Sequence, residues 1–127
     1  MTASVSDLTL DTVLDTMARL STGDAEILLA VAQSTRTELP KLVERLREAI
    51  VAQDALAVQA RAHSIKGTVA NCGADGLRQA ALASEKLGAA GTLAETPALL
   101  VQIEADLPAL YQALDEIQAG IQDGSIA

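Results

Sequence analysis

The chain contains no phenylalanine and no tryptophan, and Tyr111 is its one aromatic residue. A core organised around packed rings is therefore excluded. Half of the residues are still apolar, so alanine and branched aliphatics must fill the interior, which favours helices packed closely together. Cysteine is almost absent. Cys72 stands alone, so no internal disulfide can form, and a structural zinc site lacks the partners it needs. This usage fits a reducing cytoplasm. No uninterrupted apolar run is long enough to cross a bilayer, and the N-terminus has no basic flank followed by an apolar signal core, so a soluble, unexported protein is expected.

Positive charge is scarce too, with nine Lys and Arg against 17 Asp and Glu for a formal net charge of -8. That balance argues against nucleic-acid binding, which needs a positive surface to meet phosphates. The cations are unevenly spread. Residues 1 to 35 carry only Arg19, and residues 87 to 127 carry no Lys or Arg, which leaves the other eight between positions 36 and 86. This middle stretch either attracts an acidic partner or presents ordinary solvated helix faces.

Among what is present, apolar residues at three- and four-residue spacing dominate, and no stretch alternates with period two. The spacing predicts an all-α fold. A short first helix spans roughly 7 to 20, with Leu10, Val13, Leu14 and Met17 inward, and stops at Ser21-Thr22-Gly23. The second, roughly 24 to 52, has Asp24 as its cap, an inward stripe of Leu28, Val31, Thr35, Leu39, Leu42, Leu46 and Ala49, and a kink expected near residues 36 to 40, caused by Pro40. The third, roughly 54 to 72, starts at Asp54, turns Ala55, Val58, Ala62, Ile65, Val69 and Cys72 inward, and ends at Gly73. Leu77, Ala80, Ala81, Ser84 and Leu87 mark a fourth helix. Gly88-Ala89-Ala90-Gly91 is expected to be a flexible loop, after which Thr96-Pro97 caps a last helix with Leu100, Ile103, Leu107, Leu110, Leu114, Ile117 and Ile121 inward. In this helix Pro108 is expected to kink and Gly120 and Gly124 to fray the end. Four long helices with short connections, preceded by a short one, predict an antiparallel four-helix bundle forming a single domain over residues 1–127.

Histidine occurs once, as His63, so any histidine chemistry has a single address. At about 100° per residue, His63 lies roughly 130° from the centre of the third helix's inward stripe, which predicts a ring in solvent. Ala60, Gly67 and Ala70 share its face, leaving room for another protein to approach. An interior helical glycine costs about 1 kcal/mol relative to alanine. Gly67 is consistent both with deliberate open space beside the imidazole and with simple tolerance in a helix held by tertiary packing. Lys66, three residues on, either attracts an anion bound at the ring or is an ordinary exposed lysine.

The run His63-Ser64-Ile65-Lys66-Gly67, with Ala62 before it and Asn71, Gly73, Ala74 and Leu77 after it, resembles the histidine-phosphotransfer (HPt) domain family. The similarity is strongest over residues 61 to 87. It implies a helical bundle whose exposed histidine relays a phosphoryl group between the aspartates of response-regulator receiver domains. It further implies His63 as the phosphorylated nucleophile, Lys66 as the positive neighbour of the phosphoryl group, and Gly67 as the small residue that permits access. Glu85 falls where the family often sets Glu or Gln against the ring, the alternative being an ordinary exposed acid. Two departures concern packing: similar domains often place a core Phe in the second helix, and Cys72 and Ser84 occupy positions that are commonly Leu.

The same resemblance implies a phosphocarrier and not an enzyme, with no cofactor of its own. Neutral imidazole is a competent nucleophile near physiological pH. Phosphoryl transfer ordinarily uses a divalent ion, and no carboxylate cluster in the sequence suggests a Mg2+ site, so Mg2+ is expected on the receiver partner. The expected partners are receiver domains of a hybrid histidine kinase, a downstream regulator, or both, met by a monomer in the cytoplasm. Nothing resembles a phosphate-binding glycine loop, so ATP binding is not expected. Two rival readings are a helical interaction module that is never phosphorylated, and an HPt domain belonging to a larger hybrid or chemotaxis kinase.

Overall fold

The structure is a computed structural model and describes residues 8–126. Five helices account for its regular structure: α1 (Leu10–Leu20), α2 (Ala25–Val51), α3 (Ala55–Ala70), α4 (Asp75–Ala90) and α5 (Thr96–Gln122). Helices α2 to α5 form the antiparallel bundle, each packed on the next with α5 closing against α2, while α1 lies over α5 and α2. No described helix is long and apolar enough to cross a membrane.

Local chemistry sets the helix starts. Asp24 accepts from the Glu26 and Ile27 amides at 2.9 and 3.2 Å, and Asp54 accepts from the Ala57 amide at 3.1 Å. Each carboxylate satisfies N–H groups that the helix itself cannot. Thr9 and Thr12 make a reciprocal capping box at the start of α1, which begins at Leu10 among the described residues. Gly73 ends the α3 turn with φ +68. An added Cβ there would also lie 2.4 Å from Thr16 Oγ1, so α1 seats itself against the α3–α4 turn.

The core contains the expected stripes with a shifted centre. Val58, Ala62, Ile65, Val69 and Cys72 are buried on the α3 side, facing Leu77, Ala80, Ala81 and Ser84. On α2 the buried set includes Ala32, Val43 and Ile50, while Val31 and Leu42 only edge the core. Ala55, Leu87 and Ile121 are likewise half-buried. Small groups occur where helices approach. Ser84 is fully buried and its hydroxyl donates to the Ala80 carbonyl at 3.0 Å, which satisfies it within its own helix. Burial pushes the Cys72 thiol up to about 11, so this cysteine is a neutral packing group and not a nucleophile.

Several expectations are corrected. Gly88-Ala89-Ala90 is helical, not a loop, and α4 ends only at Gly91, whose φ is +75. Thr96 is the first residue of α5 and does not cap it; its hydroxyl donates to the Leu93 carbonyl at 2.7 Å. The end of α5 does not fray at Gly120. It continues to Gln122, and the chain then folds back so that the Ile126 amide reaches the Gly120 carbonyl at 2.8 Å. Pro40 and Pro108 lie inside continuous helices, so Pro108 does not end α5, as expected. Each lacks the amide that would complete one turn, yet packing on both sides carries the helix through.

The sharpest constraint is at Gly88. A Cβ placed there would fall 2.6 Å from the Gln59 backbone nitrogen and 2.9 Å from the Ala55 carbonyl oxygen, so α3 and α4 touch backbone to backbone. A methyl group must therefore push two helices apart, since no flexible side chain can yield. Gly88→Ala gains about 1 kcal/mol of helix propensity but costs more in overpacking, for a net loss of about 1–2 kcal/mol. Chemical denaturation measures it directly. Gly67→Ala is the control, because nothing lies within 4 Å of a Cβ at that position, and it should stabilise the protein by up to about 1 kcal/mol.

Candidate functional site

The α3–α4 hairpin carries the site. Its antiparallel register places Gly88 against Gln59, and one turn along both helices the same register places Glu85 against His63. The Glu85 carboxylate spans two partners. Its Oε2 lies 2.8 Å from His63 Nδ1, and its Oε1 lies 2.7 Å from Lys66 Nζ. The three side chains differ in exposure: His63 is 67% exposed, Lys66 27% and Glu85 18%. A largely buried carboxylate thus lies beneath an open imidazole, with the ammonium beside it.

The hydrogen-bond pattern fixes the ring. The Lys66 ammonium holds the Glu85 carboxyl below its ordinary value, with burial opposing the shift and the His63 contact reinforcing it. Glu85 is therefore ionised at neutral pH and can only accept. Nδ1 of His63 must donate, and in the neutral ring Nε2 keeps its lone pair. The side chain as a whole is 67% exposed.

The surroundings of the ring are small. Ala60, Gly67 and Ala70 are all exposed, and a Cβ at Gly67 would meet nothing within 4 Å. Ser64 turns its hydroxyl back to the Ala60 carbonyl at 3.3 Å, and Thr68 does the same to Ser64 at 3.0 Å. Neither hydroxyl is therefore a free donor aimed at the ring. The arrangement offers one accessible nitrogen nucleophile, one carboxylate to balance positive charge on its ring, and one cation within reach of both.

All four residues singled out in the sequence fall in this one place. The exposure of His63 and the open space at Gly67 match the helical-angle reasoning, and Glu85 contacts the ring. What the sequence reasoning misses is the Lys66–Glu85 pair. Helical geometry puts Lys66 near His63, but only the spacing between α3 and α4 reveals that the buried carboxylate reaches it. Gly88 escapes for the same reason, because its composition suggests a loop; its position one turn from Glu85, within the alanine-rich run of α4, is the available signal.

The ionic pair has a measurable sign. Because the Glu85 carboxyl is held below its ordinary value, the stabilisation it contributes is complete above the ordinary glutamate range, about 4.3, and is lost as pH falls through the lowered value. Carboxyl-carbon NMR should place the Glu85 midpoint below that range. Lys66→Met should move the midpoint upward, since the main cause of the lowering is gone and burial remains.

Comparison with known proteins bears on the fold and the family. The Hpt domain family matches residues 30–120, a span that includes all four site residues. The solved structure of histidine-containing phosphotransfer protein B (HptB) from Pseudomonas aeruginosa PAO1 is similar in fold, with a TM-score of 0.67 over 97% of this chain and 96% of that one, at 22% sequence identity. No curated protein sequence matches. With a family match running from α2 nearly to the end of α5, the protein belongs to the Hpt domain family.

Proposed function

We propose that His63 accepts a phosphoryl group from the aspartate of one response-regulator receiver domain and passes it to the aspartate of another. Membership of the family makes the chain a histidine phosphotransfer carrier; the identity of the nucleophile and the nature of the partners are the proposal. The observation that carries it is the orientation of the imidazole. Nδ1 is held by Glu85 at 2.8 Å on a ring that is 67% exposed, so the nitrogen left to react is the one facing solvent.

In the transfer, the Nε2 lone pair forms a bond to phosphorus as the bond from phosphorus to the aspartyl oxygen breaks, and the aspartate leaves as a carboxylate. Nδ1 keeps its proton throughout. The ring of the product is cationic, and Glu85 already lies where that charge develops, which lowers the barrier without any reorganisation. Lys66 supplies positive charge for the oxygens of the incoming group. Gly67 leaves the approach open for a domain-sized donor. The receiver completes the site, and the divalent ion that phosphoryl transfer uses would enter with it. On this reading residues 1–127 act as one cytoplasmic, monomeric phosphotransfer unit.

Incubation with a phosphorylated receiver tests the proposal. An acid-labile, base-stable label should appear on His63 and be absent from a folded His63→Gln variant; labelling of that variant would overturn the assignment. Gly67→Leu should retain its helical circular-dichroism signal while transfer slows by about 10- to 100-fold, as expected when reacting groups are held slightly too far apart.

A further inference from the structure

We infer that Leu56 is the apolar anchor by which a receiver domain is held over His63, and that the receiver meets it with an apolar recess about 10 Å from its phosphorylated aspartate. This names the docking contact of the proposed phosphotransfer and rests on that reading. The observation is a large hydrophobe left in water. Leu56 is 76% exposed, and it is not among the residues packed on the core. It is the second residue of α3, just after the Asp54 cap and Ala55, where alanine would serve the helix at least as well.

Its place relative to His63 gives it a use. Leu56, Ala60, His63, Gly67 and Ala70 follow one another at alternating intervals of four and three residues, so they share one face of α3, and all five are exposed. At about 1.5 Å per residue, Leu56 lies about 10 Å along the helix axis from His63. Even a transient complex buries about 500–600 Å² on each partner, a patch about 13 Å in radius, so a protein centred on His63 covers Leu56. Ala60, Gly67 and Ala70 offer that protein little apolar area, which leaves Leu56 as the large apolar group on this face of α3. A second copy of the chain seated here would cover the nucleophile and block transfer. The receiver is therefore the occupant that the site allows.

The concentration dependence of transfer tests the anchor, with a phosphorylated receiver domain as the probe. In Leu56→Ala the half-saturating receiver concentration should rise about 10-fold, the scale expected when most of a leucine side chain no longer leaves water on docking. The rate at saturation should stay within about twofold of the wild type, because the reacting groups are unchanged. Leu56→Met, which keeps the apolar volume, should remain within about threefold of the wild type. Leu56→Glu should weaken docking more than Leu56→Ala does, since it would strand a carboxylate in an apolar recess. Val101→Ala is the control. Val101 is also exposed, at 64%, but it lies on α5, which packs on α1, α2 and α4 and makes no contact with α3, so its removal should leave the concentration dependence unchanged.

Phosphoramidate, a small phosphoryl donor with no docking surface, should label His63 equally in the wild type and in Leu56→Ala, and circular dichroism checks that each variant is folded. An unchanged half-saturating concentration in Leu56→Ala, or an equal rise in Val101→Ala, would overturn the inference. Loss of phosphoramidate labelling in Leu56→Ala would overturn it too, since the defect would then lie at the ring and not in docking. The two failures are distinct. If the wild type takes no label from a phosphorylated receiver, the phosphocarrier reading fails and the anchor with it; if wild-type transfer is intact and Leu56→Ala matches it, only the anchor fails.

Discussion

The backbone contact between α3 and α4 at Gly88 governs the rest of the molecule. Side chains of ordinary size would hold two helices about 8–10 Å apart. Here a glycine faces the Gln59 amide nitrogen so closely that even a methyl group would overlap it. Ala80, Ala81 and Ser84 continue the small-residue stripe along the buried face of the same helix. Because α4 lies so near, a glutamate one turn from Gly88 can reach an imidazole on α3 with a direct hydrogen bond. A wider separation would leave water between them. The missing aromatic residues belong to the same design, since a ring between α3 and α4 would have prevented the approach.

Charge is arranged around this hairpin in layers of decreasing burial. The carboxylate is lowest, the ammonium is partly covered, and the imidazole stands highest. The carboxylate contacts both partners, one through each oxygen. Two further ion pairs, Arg36 with Asp115 and Arg47 with Glu104, join α2 to α5. Arg36 also covers the Tyr111 ring with its guanidinium 4.3 Å from the ring centroid. These pairs are substantially exposed and add modestly to stability.

Much of this organisation was legible in the sequence because helical periodicity is a local signal. Asp24 and Asp54 are caps as their positions require, and the α5 stripe from Leu100 to Ile117 is buried as spaced. His63 could be placed in solvent by angle alone. The misreadings arise where a residue's meaning depends on a neighbouring helix. Gly88 carries the composition of a loop, but it lies inside α4, where the backbone of α3 leaves no room for a side chain. Gly120 resembles a fraying point, yet it is buried because Ile126 folds over it. The Lys66–Glu85 contact belongs to this class, since nineteen positions of sequence separate its members and no local spacing encodes it. The resemblance to a family supplied Glu85; only the three-dimensional register supplied its second partner.

The double engagement of Glu85 also bears on how long a carrier can hold its cargo. Both carboxylate oxygens are occupied, one by a ring nitrogen and the other by an ammonium. The exposed side of the imidazole is bordered by Ala60, Gly67 and Ala70, which have no group able to take a proton. A water molecule approaching a phosphoryl group on Nε2 would therefore find no base among these neighbours to activate it. In the proposed role, the same economy of side chains that opens the histidine to a partner protects the phosphorylated form from hydrolysis, and discharge waits for the protein that brings its own reactive carboxylate.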